Sequence, residues 1–92
     1  MADGMTHQAP ILRLYVVGET PNSLLALMDL RAVLKGREHC LEIVDVLAAP
    51  ERALDDGVFV TPTLVRISPE PQRSIVGSMA AQNGILAMLT GA

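Results

Sequence analysis

The first clear pattern in the chain is Ile11-Leu-Arg-Leu-Tyr-Val-Val17, apolar at every position except Arg13. A run this rich in β-branched and aliphatic residues predicts a strand, and its lack of a polar face predicts a central strand covered on both sides. Turn residues Gly18-Glu-Thr-Pro-Asn22 break it. A helix is then expected from about Ser23 to Lys35, capped by Asn22 or Ser23 and stopped by Gly36. Leu24, Leu27, Met28 and Leu34 form one apolar stripe on it, while Leu25 and Val33 fall on the other side with Asp29. A helix apolar nearly all round is expected to be covered from more than one direction. Leu25 and Val33 are therefore candidates for an oligomer or partner surface, against the plainer alternative of stray exposed side chains.

Leu41-Glu-Ile-Val-Asp-Val-Leu47 predicts a second strand, which a βαβ unit would pair in parallel with the first. Ala48-Ala-Pro50 turns the chain into a short helix reaching about Asp56, with Pro50 in its first turn and Gly57 ending it. Val58–Ile67 is expected to be a strand with Pro62 near its start, where a proline deletes no ladder hydrogen bond. After Ser68-Pro-Glu-Pro-Gln72, Arg73–Val76 reads as a short antiparallel edge strand. Met79 to about Leu89 reads as a closing helix with Ile85, Leu86 and Leu89 inward, weakened by Gly84. The order is βαβ, short helix, ββα: one α/β domain over 11–92 behind a disordered tail at 1–10.

Composition narrows the chemistry. The chain has 92 residues, 50% hydrophobic but only 2% aromatic, so its core must be aliphatic. Seven basic residues against ten acidic ones give a net charge of −3. No basic cluster offers a footprint for a phosphate backbone, and Tyr15 and Phe59 alone make no base-stacking platform. Nucleic acid is not an expected partner. The N-terminal stretch has neither the basic start nor the apolar run of a signal peptide, and no segment approaches a membrane span. The single cysteine, Cys40, cannot form an internal disulfide. A cytoplasmic protein is expected.

Thr61-Pro62-Thr63-Leu64, in this order of elements, resembles the thioredoxin fold, a three-layer βαβ-α-ββα domain. In that superfamily the matching proline is cis and faces a loop carrying C-x-x-C. Here the loop reads Thr20-Pro21-Asn22-Ser23, without sulfur. A dithiol–disulfide cycle needs an attacking thiolate and a resolving thiol, so redox catalysis is excluded. The segments Leu14–Ser23, Ile43–Leu47, Val60–Leu64 and Ile75–Gly77 together resemble the KaiB family in order and spacing.

That resemblance implies a protein that is not an enzyme and needs no cofactor. It implies binding to a KaiC-like hexameric ATPase, with a KaiA-like protein or a competing histidine kinase as further players in a circadian oscillator. It also implies a homo-oligomer, dimer or tetramer, and two folds, one with a rearranged C-terminal half. Arg13, Arg66 and Arg73 fall at basic positions of the family pattern and are the expected contacts with an acidic partner. Leu25, Glu42 and Gly57 stand where cyanobacterial members tend to be basic, and Met88 and Thr90 where they tend to have glycine and aspartate. Because Met is the better helix former, the thioredoxin-like state is expected to be favoured here. A KaiB paralogue in stress adaptation and the sensor domain of a histidine kinase are the alternatives.

The remaining polar residues have modest expected roles. Thr20 and Ser23 are expected to satisfy amides at the helix start, and Pro62 to set the shape of the adjoining loop as a cis residue. Cys40 reads as a half-buried, inert thiol, and with only His39 beside it makes no zinc site. Asp45 has no catalytic companion, while Glu51, Asp55 and Asp56 read as a solvated face.

Overall fold

In a computed structural model, residues 9–77 and 82–89 are described. The expectations for the tail at 1–8, for Met79 and Thr90, and for the side chains of Leu86 and Met88 lie outside them. The described elements are β1 (Ile11–Val16), α1 (Pro21–Leu34), β2 (Cys40–Asp45), α2 (Pro50–Asp55), β3 (Thr63–Ser68), β4 (Arg73–Val76) and α3 (Gln82–Leu89). The sheet order is β2-β1-β3-β4. β1 pairs in parallel with β2 and antiparallel with β3, and β3 pairs antiparallel with β4.

The central place of β1 explains its two apolar faces, since alternate residues point to opposite sides of a sheet. Leu12, Leu14 and Val16 pack with Leu64 against Ala26, Leu30 and Leu34 of α1 and Ile85 of α3. Tyr15, on the other face, packs with Val44 and Val65 against Ala53 of α2 and Val58 beyond it. The fold is thus three layers, α1 and α3 over the sheet and α2 beneath it.

Three expectations need correction. α1 starts at Pro21 rather than Ser23, and its cap is Thr20, whose hydroxyl accepts the Ser23 amide at 3.3 Å. Its inward residues are Ser23, Ala26, Leu30 and Leu34, with Leu27 and Val33 packed beside them. Leu24 and Met28, expected inward, are exposed. The apolar residues surround the helix, so their pattern does not define its rotation. Ser23 does: its hydroxyl accepts the Val17 amide at 3.1 Å and lies 3.4 Å from the Val17 carbonyl, pinning the first turn to the end of β1.

The third strand begins at Thr63, not Val58. The peptide preceding Pro62 is cis, and Val58–Pro62 runs as irregular chain after Gly57, whose φ of 71° suits a residue without a Cβ. Finally, Cys40 opens an edge strand and is exposed rather than half-buried.

Candidate functional site

The loop matching a thioredoxin redox site is closed upon itself by hydroxyls. Thr20 donates through Oγ1 to Ser23 Oγ at 2.9 Å, and Ser23 in turn engages Val17. Beside it lies a cleft of about 320 Å³ lined by Asn22, Leu25, Ala26, Asp29, Thr61, Pro62 and Gly77. Pro62 therefore faces the start of α1. The cleft's lining supplies one carboxylate, Asp29, and one hydroxyl, Thr61, and no thiol or imidazole. Among the described residues, no three His, Cys, Asp or Glu side chains come together as metal ligands.

A second concavity, of about 420 Å³, opens on the α2 side between Val17, Val46, Pro50, Ala53, Leu54, Val58, Phe59, Val60 and Thr61. Phe59 is 82% exposed, and Leu54, Val60 and Leu47 are exposed with it. Sequence reasoning placed Phe59 and Val60 inside a strand and so missed this surface. The signal was Pro62, because a proline has no N–H to give a ladder and so favours a strand that starts after it.

The three arginines are not brought together. Directly paired residues share a face of a sheet, and Arg66 pairs with Leu12 and Arg73. Arg66 and Arg73 thus lie on the α1 face, and Arg13 on the α2 face. Arg66 is fully buried, and its Nη2 donates to the Pro71 carbonyl at 2.7 Å, holding the proline-rich turn against β3. Arg73 is exposed on the edge strand. Leu25 is exposed at the first cleft, whereas Val33 is half-buried against the core.

Arg13 belongs to a polar network on the α2 face. Its Nε donates to Glu42 Oε1 at 2.9 Å and its Nη1 to Asp56 Oδ2 at 2.8 Å. Arg52 grips both oxygens of Glu42 at 2.7 Å. The Tyr15 hydroxyl donates to Asp56 Oδ2 at 2.5 Å and lies 2.9 Å from the Arg52 carbonyl. Asp56 is consequently part of this network and not of a solvated face. Bidentate geometry to a guanidinium favours the ionised carboxylate. Glu42 is accordingly lowered to about 2 by its hydrogen bonds from Arg52 and then Arg13. Burial, reinforced by the bond to Asp56, raises the Tyr15 phenol. Partial burial lowers the Arg13 guanidinium, but its bonds to Asp56 and Glu42 outweigh that and hold it above its ordinary range. Asp45 has a turn-forming role, its Oδ1 accepting the Gly18 and Leu47 amides at 3.2 and 2.9 Å.

This order of elements, with a proline set against a helix start that carries hydroxyls in place of sulfur, defines a thioredoxin-like domain without a dithiol. Solved structures agree on the fold. The N-terminal domain of SasA from Synechococcus elongatus superposes with a TM-score of 0.74 at 22% identity, covering 94% of this chain and 88% of that one. Mitochondrial thioredoxin 3 from Saccharomyces cerevisiae gives 0.73 at 14% identity, covering 97% and 85%. The sequence comparison is narrower. The KaiB domain model matches residues 13–90. The circadian clock oscillator protein KaiB of Prochlorococcus marinus (strain MIT 9312) is 42% identical over 79 residues, which is 83% of this chain and 75% of that protein. Its namesake in Synechococcus sp. (strain RCC307) is also 42% identical over 79 residues, 83% and 72% of the two chains. The chain belongs to the KaiB family.

Proposed function

We propose that this chain is a non-enzymatic, clock-type regulatory protein that docks on a KaiC-type ATPase and modulates its phosphorylation or output. Membership of a family whose relatives are named circadian clock oscillator proteins supports the regulatory role. The observation that carries the docking is the exposed apolar surface of Leu54, Phe59 and Val60 around the second concavity. Exposed aromatic and aliphatic side chains grouped around a hollow are the usual anchors of protein interfaces. Of the three arginines, we assign Arg73 to contact with acidic groups of the partner, and Arg13 and Arg66 to the scaffold. Self-association as a dimer or tetramer is part of the same reading, with Leu24, Leu25 and Met28 as the exposed apolar row on α1.

Size-exclusion chromatography with a KaiC-type ATPase from the same source, with nucleotide present, tests the proposal. Co-elution is expected, weakened about tenfold or more by Phe59→Asp or Arg73→Glu. The protein run alone reads its oligomeric state. No association in any nucleotide state would reject this partner and favour a family paralogue serving a different one. The acidic Glu42 where cyanobacterial members tend to be basic fits that second reading.

A further inference from the structure

The apolar surface of the second concavity stands on a helix that has little hold of its own. α2 is six residues long, and Ala53 is its one buried residue. Isolated helices need roughly twelve residues or more to persist in water. What fastens α2 is polar and comes from elsewhere in the chain. At its first turns, Arg52 is gripped by Glu42 of β2 through both carboxylate oxygens at 2.7 Å. At its end, Asp56 takes the Tyr15 hydroxyl at 2.5 Å and Arg13 Nη1 at 2.8 Å, both from β1. Arg13 Nε closes the circuit on Glu42 at 2.9 Å. Leu54 lies between the two fastened points, and Phe59 and Val60 follow Asp56 by three and four residues.

We propose that Tyr15, Arg13 and Glu42 are positioning residues that clamp α2 to the sheet and thereby hold Leu54, Phe59 and Val60 in their docking arrangement. The inference rests on the docking reading above. The clamp joins two strands of the βαβ half to the segment beyond it, so loosening it frees α2 without unmaking the core on the α1 face, to which α2 contributes no residue. Two of its side chains, Arg52 and Glu42, are more than a third exposed. A partner could therefore compete for them directly and change the set of α2 as it binds.

Amide hydrogen exchange measured by NMR tests this, with the amides of Asp56, Gly57 and Val58 as reporters. They donate to the carbonyls of Arg52, Leu54 and Ala53 at 3.1, 3.1 and 2.8 Å. Glu42→Gln, at an exposed site, and Tyr15→Phe, which removes only a hydroxyl, should each speed their exchange about tenfold, leaving β1 and β3 amides unchanged. Asp56→Asn keeps an acceptor for Tyr15 and should fall between them and the unaltered protein. Unchanged exchange, or an equal acceleration throughout the sheet, would overturn the clamp. The same variants are then titrated with the KaiC-type ATPase. A loosened α2 with about tenfold weaker binding supports the positioning role, while a loosened α2 with undiminished binding overturns it. If the unaltered protein itself does not bind, the docking reading fails and the positioning role falls with it, whatever the exchange rates.

Discussion

Tyr15 is the sole tyrosine, and the chain has no tryptophan, so its titration can be followed in the intact protein by tyrosinate absorbance. Burial and the bond to Asp56 raise its pKa above the ordinary value of about 10. The neutral phenol is therefore the form that folding favours. Its contribution to stability is complete below the ordinary value and is lost as pH rises through the folded one. The ultraviolet titration is expected to show a midpoint above that of free tyrosine, and Asp56→Asn should bring it part of the way back. A midpoint at the ordinary value would remove Asp56 from the network. At this scale the sequence was a partial guide. Tyr15 was recognised as a core strand residue, but its hydroxyl's partner lies 41 residues away, and Asp56 read as solvated because its sequence neighbours are acidic. The burial of Arg66 was not legible for the same reason: nothing local says that a strand arginine will be buried while its neighbour across the ladder, Arg73, stays in solvent.

Among elements, α1 shows how a hydrophobic pattern can name a helix and still misplace its buried face. Leu30 is fully buried between α1 and the sheet, whereas Met28 is 68% exposed. Truncation of Leu30 to Ala is expected to cost about 2–5 kcal/mol in urea denaturation, from lost transfer energy and the void left behind. Met28→Ala should change stability by less than about 0.5 kcal/mol. Equal costs at the two positions would restore the rotation of the helix that the apolar stripe suggested. β1 and β4, by contrast, were placed within a residue, and β2 within two, by apolar runs and turn residues. The start of β3 was not, because the apolar run from Val58 continues across Thr61-Pro62 and conceals the irregular segment.

For the molecule as a whole, the ion pairs of β1, β2 and α2 couple folding to acid. Glu42 ordinarily titrates near 4.5 and does so at about 2 in the folded chain. Above the higher value both states are ionised and the full contribution is present. As pH falls between the two, the unfolded chain takes up a proton that the folded chain resists, and stability is lost. Urea midpoints measured across that window should fall in the native protein and fall less in Glu42→Gln. Added salt should narrow the difference, since the carboxylate is exposed to solvent. Parallel curves for the two proteins would mean that the Glu42 pairs add nothing to stability.

The sequence by itself determined the order of elements, the α/β class, the thioredoxin-like frame, the absence of a dithiol and the resemblance to the KaiB family. These depend on local facts: runs of apolar residues, the turn chemistry of Gly and Pro, and which atoms occupy the loop at Thr20–Ser23. The tertiary structure alone decided which face of α1 is buried, that Arg13 and Arg66 point to opposite sides of the sheet, and that Phe59 stands outside the core. Each of these depends on pairing between residues far apart in the chain. A strand's alternation says that two faces exist, but only register and the packing of helices decide what covers each face and which side chains stay in solvent.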